Sequence, residues 1–243
     1  MSPLVQSLLA TFLVSLISLV GVFVVRWTER VEERLLGFAA GVLLATAFLD
    51  LFPEAIEHSP GDGHVFAAAL GAMVLFFVIE RLLHAFHLHE ESHAHTSGYL
   101  ILIGDGLHNL IDGVVIAASF LVSPELGVTT TLAVAAHEIP QEIADYGLLV
   151  SGRFTRQRAL LLNFASGLTA LVGVALCFAF RDAIQPRIGW ALTATAGMFI
   201  YIAASDLLPE LHRSQTRREW SYAVPFFVGV ALMAVIGWFL PGG

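Results

Sequence analysis

Two short segments of the sequence hold the side chains best suited to chemistry. The first reads GDGLHNLIDG over residues 104–113. Four polar residues in it are spaced i, i+3, i+4 and i+7, which places them on one stripe of a helix. They are Asp105, His108, Asn109 and Asp112.

The second segment reads HEIPQEIAD over residues 137–145. A helix there would carry another polar stripe, formed by His137, Glu138, Gln141, Glu142 and Asp145. Two helices that are joined by a short turn can bring two such stripes face to face. The sequence therefore predicts one polar cluster built from carboxylates, imidazoles and amides of both segments.

The carboxylates of this cluster have no basic partner nearby in the sequence. All 12 basic residues are Arg, and none lies between Arg81 and Arg153. A charged residue at the bilayer centre costs about 2.5–3.5 kcal/mol, so five unpaired carboxylates could together cost on the order of 10 kcal/mol. Protonation, hydration in a polar cavity or a cation from outside could each remove that cost.

The ligand types in the cluster suit one class of cation. Mixed nitrogen and oxygen ligands bind zinc and its first-row neighbours, such as Fe(II), Mn(II) and Co(II), whereas purely oxygen ligands favour Ca²⁺ or Mg²⁺. The single cysteine, Cys177, excludes a multi-cysteine metal site and a disulfide framework. The cluster therefore predicts a site for a transition-metal ion.

Composition places this cluster inside a membrane protein. Of the 243 residues, 57% are hydrophobic and 13% are charged, and the mean hydropathy is +0.78. Soluble domains carry about 25% charged residues, so an ordinary soluble enzyme is excluded. A net charge of −8 without any basic run excludes a nucleic-acid-binding protein.

Eight apolar stretches are long enough to cross a bilayer, whose hydrocarbon core needs about 20 residues of helix. Their continuous apolar character indicates helices rather than barrel strands. The sequence predicts an all-α membrane protein with eight transmembrane helices in a single transmembrane domain, residues 1–243. The predicted spans are 4–25, 35–56, 65–83, 99–122, 128–150, 159–180, 188–208 and 222–240.

The positions of Arg predict how these spans are oriented, since cytoplasmic loops are rich in basic residues. With the N-terminus outside, ten Arg fall on the inner side and only Arg181 and Arg187 on the outer side. Both termini are therefore predicted to lie outside. The compact, loop-poor chain suits a plasma or bacterial inner membrane.

A short motif occurs twice, as DLFPE at residues 50–54 and as DLLPE at residues 206–210. The two copies end spans that run in opposite directions. This arrangement predicts an inverted repeat, with spans 1–3 related to spans 6–8 around a central pair, spans 4 and 5. Chance similarity between two helix ends is the alternative.

The link between spans 3 and 4, at about residues 84–97, is rich in histidine and is predicted to be cytosolic. It is either a solvated polar loop or a loose metal-binding tract. Its histidines are His84, His87, His89, His93 and His95.

The combined pattern resembles the ZIP (Zrt/Irt-like) family of divalent-metal transporters. The resemblance rests on eight spans, the His-rich link, His-Asn-x-x-Asp-Gly in span 4 and His-Glu-x-Pro-x-Glu in span 5, and it covers essentially the whole chain. It implies a homodimer that moves Zn²⁺, or iron, manganese or cadmium, into the cytosol, with spans 4 and 5 moving against the rest. The metal is then transported cargo rather than a catalytic cofactor, and the protein is not an enzyme.

The resemblance also implies which residues bind the metal. Many members have His at the position of Gln141, and some have Glu, so the neutral amide implies a weaker site or a different metal preference. Span 6 offers Asn163 and Ser166 but no carboxylate, which implies one main site rather than a binuclear centre. The implied ligands are His108, Asn109, Asp112, His137, Glu138 and Gln141.

Further acids are expected along the route of the cation. Asp105 resembles an acidic residue that lines the approach to the ligands in the family. Asp50, Glu54 and Glu57 would lie on the outer side. The expected route on the inner side is lined by Glu142, Asp206 and Glu210.

Two other functions stay open at this point. His137-Glu138-x-x-Gln141 differs by one residue from His-Glu-x-x-His, in which two histidines bind zinc and the Glu acts as a base. An intramembrane zinc hydrolase is therefore an alternative, although a neutral amide is a poor zinc ligand. The other alternative is a membrane sensor that binds metal without moving it.

Overall fold

A computed structural model of the chain describes residues 1–24, 29–88, 94–151, 154–209 and 220–239. All regular structure in these residues is helical, which confirms the predicted all-α class. The first half contains α1 (Pro3–Val24), α2 (Glu29–Thr46), a π-helical segment (Ala47–Leu51), α3 (Phe52–Glu57), α4 (Ala67–Leu88), α5 (Ala94–Val122) and α6 (Pro124–Ser151).

The second half begins with α7 (Arg156–Gly167) and α8 (Thr169–Ala179), which form one rod with a turn at Leu168. The remaining elements are α9 (Arg181–Ile184), a 3₁₀ turn (Gln185–Arg187), α10 (Ile188–Tyr201), a second π-helical segment (Ile202–Leu207) and α11 (Trp220–Phe239). Together the described residues form eight helical rods, one for each predicted span.

Length and composition alone identify fewer membrane-crossing helices than eight. In the described ranges, four segments are long and apolar enough, namely Arg34–Glu57, Leu102–Val122, Arg156–Ala179 and Arg181–Ser205. Shorter apolar helices lie at Pro3–Ile17, Ala67–Ile79 and Ala223–Phe239. The helix α6, which contains four acidic residues, belongs to neither group. Eight transmembrane helices therefore stay a prediction.

Several helices extend beyond the predicted apolar spans. Helix α4 continues to Leu88 and so contains His84 and His87, and α5 begins at Ala94 and so contains His95. Apolar composition marks the part of a helix that crosses lipid, whereas polar helical turns can continue into water. The histidines His89 and His93 lie outside the described residues.

Several pairs of helices are packed with their backbones in direct contact at glycines, among them α5 with α8, α2 with α11, α4 with α10 and α3 with α10. A Cβ at Gly113 on α5 would lie 2.6 Å from the carbonyl carbon of Ala170 on α8. On α11, a Cβ at Gly229 would lie 2.5 Å from the Phe38 carbonyl oxygen on α2, and on α10 one at Gly197 would lie 2.7 Å from the Ala69 Cα on α4. In lipid the hydrophobic effect does not drive helices together, so their association depends on close packing, which small residues such as Gly permit.

Each π-helical segment ends two residues before a proline. Pro53 follows the segment Ala47–Leu51, and Pro209 follows the segment Ile202–Leu207. A proline cannot donate a hydrogen bond to the carbonyl four residues earlier, and its ring collides with that carbonyl, so a widened turn relieves the conflict. The two copies of the repeated motif share this geometry, and the inverted repeat stays a prediction.

Candidate metal site

Helices α5 and α6 are joined at Ser123, so their polar stripes can face each other. The Ser123 hydroxyl accepts a hydrogen bond from the Leu126 amide at 3.1 Å, which caps the start of α6. The Gly127 amide donates to the Ser123 carbonyl at 3.0 Å. This one-residue connection brings His108 and Asp112 on α5 opposite His137 and Glu138 on α6.

The structure brings these four side chains together. One ligand atom from each lies within 4.8 Å of the other three. The His137 Nε2 atom is 3.1 Å from Asp112 Oδ2, 3.2 Å from His108 Nε2 and 3.6 Å from Glu138 Oε1. The His108 Nε2 atom is 3.7 Å from Asp112 Oδ2 and 3.7 Å from Glu138 Oε1.

These separations suit a tetrahedral transition-metal ion. Zinc binds His nitrogen and carboxylate oxygen at about 2.0–2.2 Å, so neighbouring ligand atoms around it are separated by about 3.3–3.6 Å. The five measured separations run from 3.1 to 3.7 Å. A small dication could therefore contact all four atoms with little rearrangement.

Hydrogen bonding leaves a lone pair on one imidazole and two carboxylate oxygens free for a cation. The His137 Nδ1 atom is 3.2 Å from the Ala133 carbonyl oxygen, a bond that requires the proton on Nδ1 and leaves a lone pair on Nε2. Asp112 Oδ1 and Glu138 Oε1 are buried and have no hydrogen-bond partner in the described part of the chain. Buried polar atoms without partners are costly, and bonds to a cation would offset that cost.

Because the cluster is buried, the electrostatic interactions between its groups are strong. Asp112, His137 and Glu138 are each at most 2% exposed, and His108 is partly exposed. Among the described residues, no Arg lies within 4.0 Å of the carboxylate of Asp112 or Glu138. The basic groups within that distance are the imidazoles of His108 and His137. The predicted lack of a basic partner therefore holds for the described residues.

Aromatic rings from helices outside the pair cover the cluster. The ring centroid of Phe199 on α10 is 6.2 Å from that of His137, and the ring centroid of Phe76 on α4 is 6.4 Å from that of His108. Phe199 is fully buried. Sequence reasoning missed both residues, because in the sequence an apolar residue that covers a site cannot be distinguished from an apolar residue that faces lipid.

Asn109 and Gln141, the other two predicted ligands, lie outside this four-residue cluster. The Asn109 amide nitrogen donates to Asp105 Oδ1 at 2.9 Å, and the Gln141 amide nitrogen donates to the same oxygen at 3.4 Å. The Ser166 hydroxyl on α7 donates to Asp105 Oδ2 at 2.5 Å. Asp105, predicted to line the route, is thus enclosed by three neutral donors.

Glu142 lies on the same side and is buried where α5, α6 and α7 meet. A Cβ placed on Gly167 would be 3.0 Å from Glu142 Oε1 and 3.9 Å from Asn109 Oδ1, so both oxygens border that position. The Asn163 amide nitrogen donates to the Glu142 backbone carbonyl at 3.0 Å. Asp145 is partly buried, while the side chain of Asp206 and all of Glu210 lie outside the described residues.

A separate acidic cavity of about 410 Å³ lies among the first π-helical segment, α3, α6 and α11. It is lined by the predicted outer acids Asp50, Glu54 and Glu57, and by Glu125, which sequence reasoning missed. Glu54 Oε1 is 3.4 Å from His58 Nδ1. The only sequence signal for Glu125 was its place in the turn between the two spans that carry the ligands.

The fold and this constellation define a class, the helical membrane proteins that hold a transition-metal ion among histidines and carboxylates of neighbouring helices. The family model described as "ZIP Zinc transporter" matches residues 2–98 and 87–237. The chain belongs to the ZIP zinc transporter family, and this confirms the predicted resemblance.

Individual relatives agree with this assignment. The chain is 31% identical over 223 residues to zinc transporter ZIP13 of Pongo abelii, and this alignment covers 86% of this chain and 67% of that protein. It is 38% identical over 122 residues to zinc transporter ZIP4 of Mus musculus, covering 50% of this chain and 18% of that protein. It is 34% identical over 135 residues to metal cation symporter ZIP14 of Homo sapiens, covering 55% of this chain and 27% of that protein.

The family assignment decides between the predicted classes of function. The chain spans about two thirds of the ZIP13 relative and less than a third of the ZIP4 and ZIP14 relatives. These relatives carry the names of transporters, so the class of non-enzymatic metal transporters is confirmed and a zinc hydrolase is not favoured. The metal ion is cargo in this family, and no catalytic cofactor is expected.

Proposed function

We propose that the protein carries a divalent transition-metal ion, with zinc the preferred cargo, through a membrane into the cytosol. Iron, manganese and cadmium are the other candidate ions. The observation that carries this proposal is the convergence of two imidazoles and two carboxylates from α5 and α6 within 4.8 Å. The chain would act as one transporter domain over residues 1–243.

The proposed transport site consists of His108, Asp112, His137 and Glu138. Two neutral imidazoles and two carboxylates would neutralise a dication and match the ligand preference of zinc. The unpartnered oxygens of Asp112 and Glu138 support this role, since they lack other partners in the described residues. A dication at this point would remove the cost of burying two carboxylates.

The inner part of the proposed route follows the next turns of α5 and α6. Asn109 and Gln141 would offer weaker amide oxygens to the departing ion, Asp105 would line the route behind them, and Glu142 would supply negative charge beside them. Asp206 and Glu210 would lie further along the same route. The acidic cavity beside Asp50, Glu54 and Glu125 would attract hydrated cations on the outer side.

The proposed direction follows from topology. Ten of the twelve Arg lie on one side of the eight proposed spans, which assigns that side to the cytosol and both termini to the outside. We assign the protein to the plasma or inner membrane and propose that it works as a homodimer. The His-rich link at about residues 84–97 would then face the cytosol.

Flux through purified protein tests this proposal directly. Proteoliposomes loaded with a zinc-sensitive dye should show saturable Zn²⁺ uptake. His137→Ala and Asp112→Ala should each abolish it, because each removes one of four ligands. His64→Ala is the matched control, since His64 is an exposed histidine in the loop before α4 and should leave uptake unchanged.

The outcomes separate the proposal from its alternatives. Zinc binding without flux in folded wild-type protein would favour a sensor and overturn transport. Normal flux in both ligand variants would overturn the site assignment while leaving the family intact.

A further inference from the structure

The geometry around Asp105 points to a positioning role that goes beyond lining a route. We infer that Asp105 fixes the orientation of the Asn109 and Gln141 amides so that their carbonyl oxygens, and not their nitrogens, face the departing cation. This inference rests on the proposed function and names a residue that sets the chemistry of the inner half of the site.

An amide side chain is ambiguous towards a cation. Its oxygen can bind a metal ion, whereas its NH₂ group repels one, and both groups occupy nearly the same volume. A neighbour that accepts hydrogen bonds decides which end faces which way. For Asn109 and Gln141, which come from different helices, the shared acceptor is Asp105.

The contacts show how firmly Asp105 imposes this choice. Its Oδ1 atom accepts from Asn109 Nδ2 at 2.9 Å and from Gln141 Nε2 at 3.4 Å. Asn109 Nδ2 also donates to the Asp105 backbone carbonyl at 3.2 Å, so both of its protons are directed at residue 105. Rotating the Asn109 amide would place its oxygen against two acceptors.

The Asn109 oxygen consequently lies towards Gly167 at the end of α7. A Cβ at Gly167 would lie 3.9 Å from Asn109 Oδ1 and 3.0 Å from Glu142 Oε1, so a carbonyl and a carboxylate oxygen border the same space. Two such oxygens suit a cation. An amide nitrogen in that place would not.

The same contacts make Asp105 itself a poor ligand. Its Oδ2 atom accepts from the Ser166 hydroxyl at 2.5 Å, and the residue is 4% exposed. Three donors occupy three of the about four acceptor positions of this carboxylate, so little of it is left for a cation. Asp105 therefore acts through Asn109 and Gln141, as residues behind metal ligands commonly do.

Two substitutions distinguish orientation from charge. In Asp105→Asn the new carbonyl oxygen can still accept from Asn109 and Gln141. The new NH₂ group can donate to Ser166 Oγ, because the Ser166 proton has a second acceptor, the Asn163 carbonyl at 2.8 Å. Asp105→Leu keeps a similar shape but has no acceptor. The first variant loses only the charge, and the second loses the acceptor as well.

The readouts are Zn²⁺ affinity by titration calorimetry in detergent and the ratio of Zn²⁺ to Mn²⁺ flux in proteoliposomes. Asp105→Leu should weaken Zn²⁺ binding about 10- to 100-fold, the usual effect of losing a residue that orients metal ligands. Asp105→Asn should stay within about threefold of wild type and keep its flux ratio. If Asp105→Leu does not fold, Asp105→Ala takes its place.

Equal losses in Asp105→Asn and Asp105→Leu would overturn the inference, because they would show that the charge itself acts on the cation. Wild-type affinity in both variants would overturn it as well. If wild-type protein neither binds nor transports metal, the proposed function fails first. If wild-type protein binds and transports metal but the two variants do not differ as expected, only the orienting role of Asp105 is rejected.

Discussion

The contact between α5 and α8 offers a test of how closely helix packing controls the metal site. Gly113 directly follows Asp112, and a methyl group at position 113 would lie 2.6 Å from the Ala170 carbonyl carbon, where ordinary contacts begin at 3.4 Å. The neighbour is backbone and cannot rotate away. In Gly113→Ala, α5 must therefore shift by at least about 0.8 Å relative to α8.

That shift exceeds what a metal site tolerates. Ligand distances in metal sites are held to about 0.2 Å, and overpacking typically costs about 1–3 kcal/mol. If this cost falls on ligand geometry, Zn²⁺ affinity should fall about 5- to 150-fold. Calorimetric titration and Zn²⁺ flux in proteoliposomes would measure the change.

The matched control is Gly147→Ala on α6, the helix that carries His137 and Glu138. A Cβ there would meet no atom within 4 Å among the contacts described. Replacing a helical Gly by Ala should stabilise the helix by up to about 1 kcal/mol and leave Zn²⁺ affinity unchanged. Equal affinities for folded Gly113→Ala and wild type would refute the link between this backbone contact and the ligands.

Three further variants test other parts of the structure. Gln141→His adds an imidazole beside the site and should raise the Zn²⁺ to Mn²⁺ flux ratio about tenfold, since imidazole favours zinc; an unchanged ratio in a competition assay would count against a role for Gln141. Phe199→Ala should lower the free energy of unfolding by about 3–5 kcal/mol, because it leaves a cavity beside His137. Denaturation in detergent would measure this change. Phe180 is 62% exposed, so Phe180→Ala should not lower the free energy of unfolding to that extent. The pKa of Asp62 is lowered from its usual 3.8 by hydrogen bonds from the His64 amide and the Trp190 indole. The ionised form of Asp62 is thus favoured in the folded state. Wild type should therefore melt at a higher temperature than Asp62→Asn at neutral pH, and this difference should vanish as the pH falls below 3.8. A melting-temperature difference that does not change with pH would contradict this.

Much of the architecture could be predicted from hydropathy and spacing. The polar stripes of α5 and α6 follow helical periodicity, so His108 and Asp112 on one helix could be placed opposite His137 and Glu138 on the other. The boundaries were less accurate. Helix α5 begins at Ala94, before the predicted start at residue 99, because a helix can continue past its apolar part into polar turns.

The orientation of individual side chains could not be predicted. Asn109 and Asp105 are four residues apart, but the direction of the Asn109 amide also depends on Ser166, which holds Asp105 from another helix. The covering rings of Phe76 and Phe199 likewise come from distant parts of the chain. Such contacts arise from tertiary packing, and no local pattern of residue types encodes them.

The glycine contacts divide the molecule mechanically. They lock α5 to α8, α2 to α11, α4 to α10 and α3 to α10 through backbone atoms, whereas α6 meets α2, and α5 meets α10, without any such contact at a described glycine. Sliding within a locked pair would drive backbone into backbone, but sliding of α6 against α2, or of α5 against α10, needs only side chains to change partners. The face of α5 and α6 that carries the four candidate ligands lies against one of these side-chain interfaces, where the Phe199 ring meets His137.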